Sequence, residues 1–401
     1  MSYEEACEFL ELLRPKGFHM DLGPITEGCS SMGQPQSEYP SVHIGGTNGK
    51  GSTAAFMTEI LMKSGYRVGL YTSPHLVNVR ERIQVNRKEI SEDDFSNVIG
   101  MIRNSLMDER SLSFFEMLTL AAFVHFRESK VEIAVFETGL GGRLDATNVI
   151  IPKVSIITPI SFDHTEHIGR TLSEIAREKA GIIKRGVPTV TAYQPAEVMN
   201  VIKNACDDIG SPLCTASPDD VKGELGLKGE HQRQNASCAV QAADILVEYG
   251  FHIDNVEKAL LETSWPGRLE VVSQSPMVIL DGAHNVAGAE SLACFVRSSV
   301  PKKKAVLMLG VLGDKDFSGL IRPLAPLFSR IICVRAPSER AASPKDLAAA
   351  ARSSGADISI EDGVVDALKK TMKKLGKDET LIVSGSLTVV GEAKAFFNRI
   401  S

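Results

Sequence analysis

The 401-residue sequence lacks several features that identify common classes of protein. Its seven cysteines form no CxxC pair, and an odd, scattered set argues against a disulfide framework or a zinc site. No run approaches the ~20 consecutive apolar residues that a membrane-spanning helix needs. The first residues, Met-Ser-Tyr-Glu-Glu-Ala, are acidic and have no apolar signal core. We therefore expect a cytoplasmic protein that does not contact a membrane.

Positive charge is scarce as well, since 44 Lys and Arg residues stand against 50 Asp and Glu residues, for a net charge of −6. Proteins that bind nucleic acids usually carry a basic surface, so we expect small-molecule partners and no nucleic acid. The length exceeds what one ordinary hydrophobic core serves, which predicts two domains. We expect the chain to act as a monomer.

Short apolar, β-branched runs alternate with helical patterns, as in a parallel sheet that is covered by helices. Helices are predicted over 52–64 and 114–127. The strands predicted in the first part are 41–44, 67–71, 133–137, 154–159 and 188–192. This pattern predicts an α/β first domain with a mostly parallel sheet.

The alternation breaks at residues 264–268 and then resumes. The second series predicts a smaller, Rossmann-like α/β domain. We therefore predict domains over 1–265 and 276–401 with a linker over 266–275, and a ligand cleft between the domains is the expected site. The strands predicted in the second series are 278–281, 305–310, 330–335, 357–360 and 380–384.

The strongest local pattern is His-Ile-Gly-Gly-Thr-Asn-Gly-Lys-Gly-Ser at 43–52, between a predicted strand and a predicted helix. This is the context of a P-loop-type phosphate loop, in which glycines let N–H groups approach phosphate and the helix adds its positive end. Lys50 would neutralise phosphate charge and Ser52 would bind Mg²⁺. The pattern departs from the general P-loop, because Ile44 replaces the first glycine and Gly51 separates Lys50 from Ser52. A glycine-rich turn with a chance lysine is the alternative.

Further motifs follow in order, and the whole set resembles the folylpolyglutamate synthase and dihydrofolate synthase family of the Mur ligase superfamily. The family's ATP loop is similar to Gly-Thr-Asn-Gly-Lys-Gly-Ser at 46–52. The other matching segments are 71–76, 113–119, 137–148, 163–166, 178–182, 231–232, 266–268, 281–285 and 384–387. One such segment would be weak evidence, whereas the ordered set is specific.

The resemblance implies an ATP- and magnesium-dependent ligase. It implies one magnesium ion bound by Ser52, Ser73 and Glu137, which are the hard oxygen ligands that Mg²⁺ prefers. It implies a second ion bound by Glu137 and His164, although histidine is an unusual ligand for magnesium. A turn residue at Ser73 and a solvated strand end at Glu137 are the alternatives. The implied ATP-binding residues are Thr47, Asn48, Gly49, Lys50, Gly51, Ser52, Gln232, Asn235, Arg268 and Asp281.

Lys179 matches a lysine that is carbamylated in many relatives, and the resemblance places it at the metal site. Carbamylation turns an ammonium into an anion that can approach Mg²⁺, whereas an unmodified lysine would repel the ion. A plain helix lysine paired with Glu178 or Glu174 is the alternative. The implied catalytic residues are Lys50, Glu137, His164, Lys179 and His284.

The implied substrate contacts are Phe115, Arg143, Asp145, His284 and Ser384. Domain closure would bring Arg268 to the phosphates and exclude water. A linker charge at Arg268 and a simple turn at Ser384 are the alternatives. Residues 15–31 resemble the family's pterin-binding loop, but Pro24 and the residues after it depart from the family pattern.

The predicted reaction transfers the γ-phosphoryl group of ATP to a pteroate or folate carboxylate, after which the amine of L-glutamate displaces phosphate. Such catalysis is largely electrostatic and needs no side-chain nucleophile. A peptidoglycan Mur ligase is disfavoured, because only about 42 residues precede the phosphate loop. An amide ligase with another acceptor and a non-catalytic nucleotide-binding relative are further alternatives. A kinase or GTPase would leave the second domain unexplained.

Overall fold

The computed structural model describes residues 1–14, 17, 21–106, 111–301 and 304–399, which pack as two units. The first unit contains Met1–Ile160, Glu166–Glu224 and Gln234–Thr263, and the second contains Ser161–Thr165, Leu225–Arg233 and Ser264–Ser401. The predicted first domain, 1–265, included both 161–165 and 225–233. Because these short segments pack with residues far along the chain, local sequence periodicity does not reveal that they belong to the second unit.

The helices alternate with the strands along most of the described chain. They are α1 (Tyr3–Leu13), α2 (Gly23–Ser31), α3 (Lys50–Lys63), α4 (Glu92–Ser105), α5 (Phe114–Glu128), α6 (Thr165–Ile168), α7 (Leu172–Ala180), α8 (Ala196–Ile209), α9 (His231–Glu248), α10 (Val256–Glu262), α11 (Val286–Ser299), α12 (Phe317–Leu324), α13 (Pro344–Ala351), α14 (Val364–Lys374) and α15 (Leu387–Asn398). Of the predicted pterin loop, residues 15, 16 and 18–20 lie outside the described residues, and 23–31 forms α2. None of the described helices is both long and apolar enough to cross a bilayer.

The strands form one sheet in each unit. They are β1 (Ser41–Gly45), β2 (Val68–Tyr71), β3 (Ile83–Val85), β4 (Lys88–Glu89), β5 (Ile133–Glu137), β6 (Val154–Ile157), β7 (Thr189–Thr191), β8 (Leu213–Thr215), β9 (Glu270–Gln274), β10 (Met277–Leu280), β11 (Ala305–Leu309), β12 (Arg330–Val334), β13 (Asp357–Glu361) and β14 (Thr380–Ser384). In the described part of the chain, the first sheet has the order β4-β3-β2-β5-β1-β6-β7-β8. The neighbouring strands β2, β5, β1, β6, β7 and β8 are parallel, and β3 and β4 form an antiparallel edge beside β2.

The second sheet has the order β13-β12-β11-β14-β10-β9 and is parallel except for β9. Residues 266–275, which were predicted as a linker, contain β9, and this strand pairs with β10 as part of the sheet. The pairing converts a polar stretch without a clear strand pattern into an edge strand. The predicted fold class, a mostly parallel α/β first part and a smaller α/β second part, is confirmed.

Helices and buried strands of the first unit follow from simple local rules. Strands β1 and β5 are buried along their whole length, as expected for central parallel strands with a helix layer on each face. Helix α5 begins with a capping box made by Ser113 and Glu116, and α7 begins with one made by Thr171 and Glu174. Helix α4 packs with α1 and α5, and α7 and α8 pack with each other.

Candidate functional site

The loop between β1 and α3 can be built only with glycine at two positions. Gly46 has φ 141°, and a Cβ atom there would lie 2.0 Å from Thr158 Oγ1. Gly49 has φ 88°, and a Cβ atom there would lie 2.1 Å from Asn235 Oδ1. Because Gly49 is also the N-cap residue of α3, it has no side chain that could cap the first N–H groups of this helix. The result is a close-fitting loop in front of a positive helix end, which is a suitable place for a phosphate group.

Hydrogen bonds from the neighbouring strand end hold this loop in place. The N–H groups of Thr47 and Asn48 donate to the carbonyl oxygen of Pro159, at 3.0 and 3.2 Å, just after β6. The Nζ atom of Lys50 donates to the Thr47 carbonyl oxygen at 3.2 Å, so its ammonium lies over the loop. Ser52, in the first turn of α3, is 1% exposed. The loop lies where the chain changes direction across the sheet, which is where α/β proteins usually bind ligands.

Two of the predicted metal ligands meet at the ends of adjacent strands. In the register of the first sheet, Glu137 on β5 stands beside Ile44 on β1, immediately before the phosphate loop. Strand β2 is the other neighbour of β5, so Ser73, which comes just after β2, lies at the same edge of the sheet. The Ser73 N–H donates to Glu137 Oε2 at 3.1 Å, and Glu137 is only 5% exposed. This buried carboxylate at a strand end does not fit a solvated edge residue.

Helix α7 brings Lys179 to the phosphate loop. The Lys179 Nζ atom donates to the Gly46 carbonyl oxygen at 2.7 Å, and the residue is 4% exposed. A buried ammonium that reaches the loop does not fit a solvated helix lysine. Lys179 therefore lies in the same unit as the other loop residues and in direct contact with one of them.

Helix α7 also packs against the glycine-rich segment after β5. A Cβ atom on Gly142 would lie 2.8 Å from the carbonyl oxygens of Glu178 and Lys179, and one on Gly181 would lie 2.3 Å from Arg143 Cβ. The Arg143 side chain forms an ion pair with Glu178 at 2.9 Å on the outside of this contact. The segments 137–148 and 178–182, which match the family as separate motifs, thus pack against each other, and Arg143 helps to join them.

Asp145 accepts hydrogen bonds from other residues of the loop that contains it. Its carboxylate accepts the N–H groups of Gly139 and Leu140 at 2.8 and 3.0 Å, and the N–H and hydroxyl of Thr147 at 3.0 and 2.5 Å. Burial raises the pKa of Asp145, and these hydrogen bonds oppose the increase. Phe115 lies against the same loop, 2.5 Å from where a Gly139 Cβ would stand. Asp145 therefore holds in place the loop against which Phe115 packs.

In the second unit, the loops after β10 and β14 lie side by side. Asp281 accepts the N–H groups of Leu269 and Ala283, each at 3.0 Å, and is 7% exposed. The Arg268 guanidinium donates to the Gly267 carbonyl oxygen at 3.1 Å and lies 2.3 Å from where a Gly282 Cβ would stand. A side chain on Gly282 would therefore displace this guanidinium.

Ser384 is the last residue of β14, and His284 lies in the loop after β10. The buried Ser384 hydroxyl donates to the Ala283 carbonyl oxygen at 3.3 Å. The His284 Nδ1 atom lies 2.8 Å from the Gly282 carbonyl oxygen. This distance fits a ring N–H at Nδ1 that donates to the carbonyl oxygen.

Several polar side chains lie close to Asp163, which is also in the second unit. Lys315 Nζ lies 2.5 Å from Asp163 Oδ1, and Asn285 Nδ2 donates to Oδ2 at 3.1 Å. His284 Nε2 lies 3.4 Å from Oδ2, and His164 Nε2 lies 3.3 Å from Lys315 Nζ. Burial alone would raise the pKa of Asp163, but the hydrogen bond and charge of His284 and the charges of His164 and Lys315 hold that pKa well below its usual range.

Sequence reasoning assigned no role to Lys315. The available signal was the polar triplet Asp-Lys-Asp at 314–316, shortly after a predicted buried strand, where parallel sheets place functional side chains. Gln232, which was predicted to bind ATP, is 1% exposed and lies 3.2 Å from His231 Nε2 at the start of α9.

The predicted site residues thus form two groups, one in each unit. The first unit contains Thr47, Asn48, Gly49, Lys50, Gly51, Ser52, Ser73, Phe115, Glu137, Arg143, Asp145, Lys179 and Asn235, and the second contains His164, Gln232, Arg268, Asp281, His284 and Ser384. Within the described ranges, no cluster of three or more His, Cys, Asp or Glu residues could hold a metal ion. The predicted ligands of the first magnesium ion include two serine hydroxyls, and the two residues predicted for the second ion, Glu137 and His164, belong to different units.

Comparison with known proteins identifies the family. Residues 44–205 match the Mur ligase middle domain and residues 267–387 match the Mur ligase glutamate ligase domain. A dihydrofolate synthase/folylpolyglutamate synthase from Bacillus subtilis is 33% identical, over 98% of each chain. The structure of Mycobacterium tuberculosis folylpolyglutamate synthase complexed with ADP is 30% identical over 99% of each chain, with a TM-score of 0.90. The structure of E. coli FolC in complex with DHPP and ADP is 28% identical, over 100% of this chain and 99% of that one, with a TM-score of 0.91. This protein therefore belongs to the folylpolyglutamate synthase/dihydrofolate synthase family of Mur ligases.

Proposed function

We propose that this protein is an ATP-dependent amide ligase that adds L-glutamate to dihydropteroate, to a folate, or to both. The observation that carries the proposal is the loop after β1, where two glycines without room for a Cβ precede a helix that begins at Lys50. The relatives named above are folylpolyglutamate and dihydrofolate synthases, two of them solved with ADP. A triphosphate bound at this loop would have its γ-phosphoryl group near the ends of β2 and β5.

In the proposed reaction, an oxygen of the acceptor carboxylate attacks the γ-phosphorus of ATP and ADP leaves. The amine of glutamate then attacks the carbonyl carbon of the acyl phosphate, loses a proton and displaces phosphate, which leaves an amide. Lys50 and the N–H groups of α3 would bind the charge that develops on the phosphoryl oxygens.

Ser52, Ser73 and Glu137 fit a magnesium ion, because all three offer hard oxygen atoms at one edge of the sheet. When bound there, the ion would neutralise phosphate charge. The hydrogen bond from the Ser73 N–H to Glu137 Oε2 orients the carboxylate for this role. The second ion, assigned from the sequence to Glu137 and His164, stays a prediction.

We further propose that Lys179 is carbamylated in the active enzyme. Its neutral amine would add to CO₂ and release a proton, which forms a carbamate. The burial of Lys179 and its contact with the Gly46 carbonyl oxygen support the proposal, since a carbamate at this place would face the phosphate loop. Protein equilibrated with ¹³CO₂ should show one carbamate carbon signal by NMR, and Lys179→Met should lack it. An unchanged signal in Lys179→Met would assign the carbamate to another amine.

The decisive assay measures ADP release with glutamate plus dihydropteroate and, separately, with glutamate plus tetrahydrofolate. We expect release with at least one acceptor, and release with neither would remove the folate assignment. Lys50→Ala should reduce kcat by at least about 100-fold, the scale on which lost transition-state contacts act. Lys63→Ala is the matched control, because Lys63 lies in the last turn of the same helix and pairs with Glu262 on the surface. Equal activity of the two variants would contradict the proposed role of the loop.

A further inference from the structure

We propose that Asp163 and Lys315 are positioning residues, which form a buried ion pair that holds His164 and His284 in their working orientations. Lys315 follows β11, and Asp163 lies in the segment 161–165 that packs within the second unit. The two charged atoms are 2.5 Å apart, and the side chains are 8% and 6% exposed. The proposal rests on the proposed function, from which the roles of the two histidines come.

A pair this well buried contributes little to stability by its attraction alone. Removing both charges from water is costly, and the attraction between them repays the cost only with close geometry and additional hydrogen bonds. Asp163 has such bonds on both oxygens, since Oδ1 also accepts the His164 N–H at 2.9 Å and Oδ2 accepts Asn285 Nδ2 at 3.1 Å. The network fits a role in specifying one arrangement of side chains.

The pair lies near Nε2 of His284, the ring nitrogen that does not face the Gly282 carbonyl oxygen. Nδ1 of His284 lies 2.8 Å from the Gly282 carbonyl oxygen, while Nε2 lies 3.4 Å from Asp163 Oδ2. Asn285 links the same carboxylate to α11, because its Oδ1 accepts the Gly288 N–H as the N-cap of that helix. The imidazole is thereby held from both sides on a fixed helix start.

His164 depends on the pair in a second way. Its φ is 49°, a left-handed conformation that a non-glycine residue adopts only when its surroundings favour it. The bond from its N–H to Asp163 favours this conformation, and Lys315 Nζ lies 3.3 Å from its Nε2. Lys315 thus lies close both to the Asp163 carboxylate, which accepts the His164 N–H, and to the His164 ring.

The test compares Asp163→Asn, Lys315→Met and the double variant that combines them. Each single change leaves one buried partner without its counterpart, so both the melting temperature and kcat should fall. The double variant removes both charges and should recover much of the melting temperature, while kcat stays reduced by about 100-fold, as expected for misplaced catalytic groups. Recovery of kcat together with the melting temperature would overturn the proposal, because the pair would then be merely structural.

The ring signals of His164 and His284 provide a readout that does not need turnover. In protein labelled at its nine histidines, these two signals should shift in Lys315→Met and in the double variant, with assignments from His164→Gln and His284→Gln. The matched control is Glu379→Gln, which breaks the partly buried pair between Arg330 and Glu379 elsewhere in the second unit and should leave both signals and kcat unchanged. Unshifted signals in Lys315→Met would refute the positioning role. Shifted signals in Lys315→Met, together with no ligase activity in the wild type, would support positioning and remove the proposed function.

Discussion

Gly49 illustrates at the scale of one residue how the site depends on the absence of a side chain. Its φ of 88° disfavours other residues, and the space that a Cβ would occupy lies 2.1 Å from Asn235 Oδ1. Both constraints apply at the residue that opens α3 beneath the proposed phosphate position.

We predict that Gly49→Ala weakens ADP binding by at least about 10-fold, because the clash displaces Asn235 or the loop. Gly65→Ala is the control: its φ is 95°, but nothing lies within 4 Å of the added Cβ. Both variants should lose about 1–2 kcal/mol of stability from the left-handed conformation. Calorimetric titration with ADP should therefore separate them, and equal affinities would show that the clash at Gly49 is relieved without effect on the loop.

His43 gives a prediction about pH. It is fully buried on β1, its Nε2 lies 2.8 Å from Thr147 Oγ1, and burial together with Lys184 lowers its pKa from 6.5 to about 3. Between these values the unfolded chain binds a proton that the folded protein does not. Stability from this residue is therefore present above pH 6.5 and is lost as the pH falls toward 3.

The measurement is urea unfolding at pH 7 and pH 5 for the wild type and His43→Gln, a neutral side chain that can still bond to Thr147. We expect the wild type to lose about 2 kcal/mol more than the variant over this interval. An equal loss in both proteins would mean that His43 is protonated while folded.

At the scale of elements, the position of α7 depends on glycine contacts with the segment after β5. Gly181, which follows the helix, would place a Cβ 2.3 Å from Arg143 Cβ and 2.4 Å from Arg143 Cα. Backbone atoms cannot move aside as a flexible side chain does, so any added atom shifts the helix that carries Lys179.

We predict that Gly181→Ala costs about 1–3 kcal/mol of stability through overpacking and also reduces ligase activity, since Lys179 would leave its contact with Gly46. Gly363→Ala is the control, because nothing lies within 4 Å of the added Cβ and the change occurs at the N-cap of α14. The control should lose no more than about 1 kcal/mol of stability, from the poorer N-cap, and leave activity intact. Full activity in Gly181→Ala would separate α7 from the site.

Most of the strands that sequence periodicity predicted are central, although the edge strand β13 was predicted as well. Strands β5 and β14 were predicted with the bounds that the structure has, because continuous apolar runs report burial on both faces. The strands that were missed, β3, β4, β8 and β9, are short edge or outer strands. Their pairing with a neighbour makes them strands, and a segment of two to five residues is too short for its sequence pattern to predict such pairing.

At the scale of the molecule, the two units each have their own sheet and core, and the predicted nucleotide contacts at the phosphate loop all belong to the first. A ligand that binds only the folded state stabilises the unit that binds it. ADP at 100 times its Kd should stabilise the first unit by about 2.7 kcal/mol.

Hydrogen exchange with and without ADP measures this stabilisation, which we expect in β1, α3 and β5. Lys50→Ala should lose the added protection, whereas Lys63→Ala should retain it. Protection that is unchanged in wild-type β1 and α3 would exclude nucleotide binding at this loop.

The sequence by itself determined the phosphate loop, the central strands and the family, because these depend on contiguous residues whose order and spacing carry the information. Tertiary structure alone decided that Lys179 reaches Gly46, 133 positions away, and that Lys315 meets Asp163, 152 positions away. It also decided that 161–165 packs with the second unit. Such contacts arise from how sheets and helices pack. A polar contact between residues far apart along the chain leaves no periodic pattern in the sequence of either segment.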